Sequence, residues 1–150
     1  MLYFAIVFIV IALDQASKYL VRAYMSPGDS IALIGDWFRL LYVRNTGTAF
    51  SMFAGNRMIT IVLTSVLVVM CLVYIYSEYR RGDRTLAKLV TFVFAGGLSN
   101  LIDRLRFGYV TDMISCWNFA VFNVADIAVT CGCIATVLYI VLSARSAMKS

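Results

Sequence analysis

With 150 residues, 62% of them hydrophobic and only 14% charged, the chain is far more apolar than a soluble domain, where roughly 45–50% and 25% are usual, so lipid is the solvent for most of it. A net charge of +5 would suggest nucleic acid in a soluble protein, but its distribution here fits membrane topology, and no nucleic acid partner is expected. The lack of any histidine excludes a zinc hydrolase built on two histidines and a carboxylate, and equally a Ser–His–Asp triad.

Inside a bilayer every backbone polar group must pair internally, and long continuous apolar runs satisfy that as helices of about 20 residues. Four such runs are read in order: Leu2 to about Val21, Met58 to Tyr76, Leu86 to about Leu105, and Val124 to about Leu142. They occupy most of residues 1–150 and leave one integral membrane domain without a soluble module. The first run has no basic leader and no small-residue cleavage site, and Asp14, Gln15, Ser17 and Lys18 interrupt its second half, so it is read as a retained helix. Asp14 and Lys18 stand at i and i+4, acid first, and can neutralise each other. Their expected task is to hold this helix against a surface sheet, with contact of Lys18 to an anionic lipid as the other reading.

Ser26-Pro27-Gly28-Asp29 ends the first helix. The stretch from Gly35 to Arg44 is aromatic and β-prone, too polar to span and too greasy for a plain loop, and is expected to form a short sheet on the outer membrane surface. Asn45 and Gly47, in Asn45-Thr-Gly-Thr-Ala-Phe50, read as a turn with Phe50 entering lipid. After the second run, the charged connection Ser77 to Thr85 contains Gly82 and predicts a tight turn. Arg80, Arg81, Arg84 and Lys88 in that region, with Arg145 and Lys149 in the tail, put both chain ends in the cytoplasm and the other two connections outside. Arg39, Arg44, Arg57 and Arg106 on the outer connections moderate that bias. The third run carries Gly96, Asn100 and Asp103 at i, i+4 and i+7, on one face. The following connection, Phe107 to Asn123, is placed at the same interface, where Asp112 reads as a solvated acid of an outer loop. Asn123 and Asp126 then share a face at the start of the fourth run. Cys71, Cys131 and Cys133 fall in spans and Cys116 in an outer loop, a pattern of neither disulfides nor metal ligands.

Ionised side chains in a span cost about 2.5–3.5 kcal/mol on insertion scales and usually face a protein interior or a wet cavity. Asp103 ends the third helix and Asp126 begins the fourth, so antiparallel packing puts both at one depth and lets them face a shared cavity. Two close carboxylates share a proton, and such a pair can activate water against a carbonyl without a metal or other cofactor. The alternative is that each acid caps a helix end; it is the stronger for Asp126, because an acid suits a helix N-terminus. Spacing alone does not choose between them. Asn100 and Asn123 either orient the carboxylates, stabilise an oxyanion, or join helices by hydrogen bonds. Arg104 is either a counter-charge to Asp103 or a side chain snorkelling to the interface, and elementary physics favours snorkelling. A proton-coupled carrier would favour acids near the midplane and a structural subunit would favour replaceable polar groups, whereas these acids gather toward one side.

Five blocks, Asp14-Gln-Ala-Ser-Lys18, Asn45-Thr-Gly-Thr-Ala-Phe50, Gly96-Gly-Leu-Ser-Asn-Leu-Ile-Asp-Arg104, Val110-Thr-Asp-Met-Ile114 and Phe122-Asn-Val-Ala-Asp126, together resemble those of the lipoprotein signal peptidase (type II signal peptidase) family, in the family's order. The resemblance implies a mainly α integral membrane fold with four transmembrane helices and a small outer sheet. It implies an aspartyl endopeptidase of the bacterial cytoplasmic (inner) membrane that cleaves prolipoproteins before the diacylglyceryl-modified cysteine. On this resemblance Asp103 and Asp126 are the catalytic pair, while Asp14, Lys18, Asn45, Gly47, Asn100, Arg104, Asn123 and Ala125 are supporting or substrate-binding. Diacylglyceryl-modified prolipoproteins, membrane lipid and globomycin-type peptide inhibitors are the partners it implies, with a monomer expected. Thr48 and Ile127 depart from residues frequent in the family, Ala and Ser, and neither belongs to the acid–base chemistry.

Overall fold

Each of the four apolar runs is a helix in the computed structural model, which describes residues 1–35, 37–47, 56–117 and 120–148. Helix α1 covers Leu2–Tyr24, α2 Arg57–Arg81, α3 Arg84–Phe107 and α4 Val124–Ala147. All four are long and apolar enough to cross a membrane. The starts at Leu2 and Val124 stand as expected; the other ends run past the apolar runs into polar sequence. Gly82 closes α2 in the left-handed region (φ 90°) and the Asp83 carboxylate caps α3 by accepting from Leu86 N. The expected turn from Ser77 to Thr85 therefore contracts to Gly82 and Asp83.

Helix α3 is the centre of the bundle, packing on α1, α2 and α4. Half of its most apolar window (50%) is buried, against 11% for α2 and for α4, which leaves those two mostly facing outward. Phe4, Phe8 and Leu13 of α1, Leu67 and Val73 of α2, and Val137 and Leu138 of α4 are exposed, as lipid-facing residues would be. At the Gly82 end the helices are tied together. Tyr139 Oη of α4 donates to the Asp83 carboxylate, 3.1 Å from each oxygen, and Tyr3 Oη of α1 lies 3.4 Å from the Arg84 carbonyl.

At the opposite end lies a three-stranded antiparallel sheet in the order β1 (Ser30–Ile34), β2 (Phe38–Asn45), β3 (Val110–Cys116). The first connection yields two strands: β2 falls in the stretch from Gly35 to Arg44 expected to form sheet, and β1, Ser30–Ile34, precedes it and was not expected. The third strand corrects the reading of the second connection as interface loop, and of Asp112 as solvated. Val110, Thr111, Asp112 and Met113 are all buried. Gly108, at φ 81°, stops α3 and turns the chain straight into β3. Val21 of α1, Tyr42 of β2 and Met113 of β3 form a core between helix and sheet, flanked by Met25, Leu40 and Ile114. After β3 the chain doubles back, with Phe122 N donating to Ile114 O at 3.0 Å and Ile114 N to Phe122 O at 2.8 Å. This return sets the start of α4 beside the middle of β3. Phe50, expected in lipid, and Thr48 lie outside the described residues.

Candidate active site

Asn123 caps α4 reciprocally. Its Oδ1 accepts from Asp126 N at 2.9 Å, and Asp126 Oδ2 accepts from Asn123 N at 3.2 Å. The cap orients the first turn so that Asp126 faces β3, and the Asn123 amide then donates to Asp112 Oδ1 at 2.7 Å. One asparagine thus joins two carboxylates from different elements. Asn45 of β2 donates to the second oxygen of Asp112 at 2.9 Å, and Asn100 of α3 donates to Asp126 Oδ1 at 2.8 Å. Both expected readings of these amides are met: Asn100 and Asn123 donate to the acids, and Asn123 Nδ2 also donates to Asn100 Oδ1 at 3.2 Å, joining α4 to α3.

Asp112 and Asp126 both line a cavity of about 530 Å³ whose polar lining adds Asn45, Asn100 and Arg104. Its other wall, through Phe122, Ile127, Val129 and Cys131, is apolar and descends α4 by about one and a half turns from Asp126. Asp112 is 2% exposed. Burial first, then the nearby Asp126 charge, pushes its carboxyl up to about 6, against the lowering effect of its bonds from Asn45 and Asn123 and of the Lys18 charge. A carboxyl in that range exchanges protons near neutral pH.

Asp103 lies elsewhere. It has no exposed surface, and its carboxylate accepts from Gln15 Nε2 and Thr111 N, each at 3.1 Å, with Lys18 Nζ at 3.3 Å. Asp103 ends α3 at the sheet end of the bundle, as Asp126 begins α4 there, but its side chain faces α1 and the back of β3 rather than the cavity. The acid that takes the cavity position is Asp112, which stood in the quoted Val110 to Ile114 block. Its signal was the alternation of Val110, Asp112 and Ile114 with Thr111 and Met113 in a β-branched run, which marks a strand whose acid shares a face with apolar neighbours.

The other expected residues converge on the same end. Lys18 Nζ lies 2.7 Å from Asp14 Oδ2, both fully buried, so the i,i+4 pair forms. It fastens α1 to the helices rather than to the sheet: Asp14 accepts from Ser99 Oγ of α3 at 2.7 Å and from Ala125 N of α4 at 2.8 Å. Gly96 lets α3 approach the Ala125 carbonyl so closely that any Cβ would collide with it. Arg104 does not snorkel. It is 8% exposed, and its Nη2 donates to the Gly47 carbonyl at 2.9 Å, while Gly47 N donates to Asn45 Oδ1 at 3.0 Å. Its guanidinium lies beside the cavity, held against the turn after β2. Gln15, named in sequence only as a polar break in the first run, and Ser99, given no task there, also join this network. Among the described residues no three or more His, Cys, Asp or Glu are gathered as metal ligands.

The family model described as Signal peptidase (SPase) II matches residues 6–142. The chain belongs to the signal peptidase II family. This is an aspartic peptidase family. Among relatives of this signal peptidase II chain are proteins named lipoprotein signal peptidase from Halothermothrix orenii, 42% identical over 91% of this chain and 93% of the relative, and from Enterococcus faecalis, 35% identical over 98% and 92%. The fold is similar to two solved structures of bacterial membrane enzymes. One has TM-score 0.86 and 27% identity, covering 95% of this chain and 88% of that one; the other has TM-score 0.81 and 27% identity, covering 92% and 91%. With four spanning helices, this signal peptidase II is a multi-pass membrane protein.

Proposed function

We propose that this chain removes signal peptides from bacterial prolipoproteins, cleaving before the diacylglyceryl-modified cysteine, with Asp112 and Asp126 as the acid–base pair. The observation that carries the reading is the joint presence of these two carboxylates, bridged by Asn123, in the wall of one cavity. Asp103, which sequence reasoning paired with Asp126, is given no chemical step. Asp112, with its raised affinity for a proton, is the acid at rest. Asp126 takes a proton from water as the water oxygen bonds to the scissile carbonyl carbon, and Asp112 gives its proton to the carbonyl oxygen. Collapse of the tetrahedral intermediate breaks the C–N bond: the proton on Asp126 passes to the leaving amine and the hydroxyl proton returns to Asp112. No covalent enzyme intermediate and no cofactor enter these steps.

The apolar wall of Phe122, Ile127 and Val129 suits a hydrophobic signal segment, and Arg104, Asn45 and Gly47 form the polar rim against which a backbone would lie. Asp14, Lys18, Asn100, Asn123 and Ala125 support the pair. Basic residues at the Gly82 end and in the tail support a topology with both termini in the cytoplasm and the sheet at the outer face of the inner membrane. A globomycin-type peptide would compete for the same cavity, and membrane lipid would surround a monomeric bundle. A proton carrier needs acids reached from both faces, whereas Asp112 and Asp126 both lie at the sheet end.

The test is cleavage of a diacylglyceryl-modified prolipoprotein by purified Asp112→Asn and Asp126→Asn enzyme. Each is expected to lose turnover while still folding, because asparagine keeps the shape but cannot exchange the proton. Near-normal turnover of Asp112→Asn would remove it from the chemistry.

A further inference from the structure

Asp103 remains unexplained by the chemistry, although an unexposed carboxylate near a membrane face is costly to keep. Its surroundings neutralise it. Lys18 Nζ sits between Asp14 Oδ2 at 2.7 Å and Asp103 Oδ2 at 3.3 Å, and Arg22 Nη1 lies 3.7 Å from Asp103 Oδ1. Two acids and two cations close that group without net charge. Charge balance alone would not dictate which further atoms Asp103 touches, and two of its contacts lead to the reacting carboxylates.

The first runs through β3. Asp103 Oδ2 accepts from Thr111 N at 3.1 Å, and Arg22 Nη1 donates to Thr111 Oγ1 at 2.9 Å. Thr111 is the residue before Asp112, so a strand pinned there cannot slip by one position, a slip that would turn Asp112 to the opposite face. The second runs through Lys18. An ammonium only donates, and Lys18 Nζ is 2.8 Å from Asn100 Oδ1, so that oxygen must face α1 and the Asn100 NH₂ must face Asp126, to which it donates at 2.8 Å. Were the Asn100 amide to flip, an oxygen would oppose the Asp126 carboxylate.

We propose that Asp103 is a positioning residue that seats both members of the acid–base pair from behind, Asp112 through Thr111 N–H and Asp126 through Lys18 and Asn100. The inference rests on the Asp112–Asp126 reading. It assigns a task to the Gln15 amide as well, since Gln15 Nε2 donates to Asp103 Oδ1 at 3.1 Å and to Ser99 Oγ at 3.1 Å, holding the carboxylate in its rotamer.

The experiment compares Asp103→Asn, Gln15→Met and Asp112→Asn with the unchanged enzyme, measuring kcat, KM and the pH dependence of kcat/KM on a diacylglyceryl-modified prolipoprotein. Asp103→Asn is expected to lower kcat by about 10- to 100-fold with KM little changed, the scale of loss from displaced outer supports and reacting groups. Its alkaline limb should also move to lower pH. A loosened β3 admits water to Asp112, which otherwise faces the charges of Asp126 from α4, Lys18 from α1 and Arg104 from α3. Gln15→Met should shift both readouts in the same direction by a smaller amount, and it carries the test if Asp103→Asn does not fold. A loss of kcat with an unmoved limb overturns the positioning role, because a smaller folded fraction would produce that. So does unchanged kcat, or a loss in Asp103→Asn as complete as in Asp112→Asn. Full turnover in Asp112→Asn sinks the underlying pair instead, which separates the two failures.

Discussion

Gly96→Ala adds one methyl group at the crossing of α3 and α4, where the space is already taken. The new carbon would lie 2.8 Å from Val129 Cγ2 and would collide with the Ala125 carbonyl oxygen. Carbon atoms rest about 3.5–4.0 Å apart, so the helices must separate locally by about 1 Å. A rotamer change relieves Val129, but a helix carbonyl cannot rotate away. Overpacking of this kind costs about 1–3 kcal/mol of stability. The larger effect is on turnover, because Ala125 immediately precedes Asp126 and its N–H is bound to Asp14 Oδ1 at 2.8 Å. Moving that turn draws Asp126 off Asn100 and away from Asp112, and a misplacement of about 1 Å at a reacting group costs on the order of 100-fold. The assay is kcat of the purified variant on diacylglyceryl-modified prolipoprotein, paired with its unfolding midpoint. Gly97→Ala is the control: its methyl would meet only Val68 Cγ2 of α2, at 3.3 Å, a side chain free to yield. Equal, near-normal turnover in the two variants would refute the link between the α3–α4 crossing and the seat of Asp126.

Three further outcomes are expected. Because the proton on Asp112 is required and is held only up to about 6, kcat/KM should fall tenfold per pH unit above that value; the limb in kcat should lie higher, since bound substrate excludes water and deepens the burial. A kcat/KM that instead rises through pH 6 to 8 would reverse the proton assignment. Lys18→Met leaves Asp14 and Asp103 buried without their shared cation and should cost about 3–5 kcal/mol in denaturant unfolding, the usual loss when one partner of a buried ion pair is removed; a loss below 1 kcal/mol would mean that Arg22 and water neutralise the site unaided. A reporter fused after Ser150 should read out in the cytoplasm and a tag between Pro27 and Gly28 outside, and an external C-terminus would invert the proposed orientation.

The spans were legible because about 20 apolar residues in a row have one physical solution in lipid. Their starts at Leu2 and Val124 were legible too, but the α2–α3 junction was not, because Gly82 and Asp83 cap helices from within polar sequence that composition assigns to a loop. The second strand announced itself through Phe38, Tyr42 and Val43, whereas the first, Ser30–Ile34, lies before the stretch that composition marked and Asp112 disguised the third. A lone acid between hydrophobic groups looks solvated until Asn45 and Asn123, 67 and 11 positions away, are brought to its two oxygens. The same long-range pairing explains the exchange of Asp103 for Asp112. Helical spacing put Asp103 and Asp126 at the same end of neighbouring helices, but that does not say which neighbour a side chain faces. The contacts of Gln15, Lys18 and Thr111 with Asp103 join α1, α3 and β3, an arrangement that no local pattern encodes.

The clasp at the Gly82 end has a mechanical consequence for the opposite end. Tyr139 anchors α4 to the α2–α3 corner through both oxygens of Asp83, making that corner a fulcrum and α4 the lever arm. Asp126 rides 13 residues farther along, roughly 20 Å at 1.5 Å per residue, so a tilt of only about 3° carries it about 1 Å. A signal segment wedging between β3 and α4 would need no unfolding to gain room, and its departure would let the arm swing back into register.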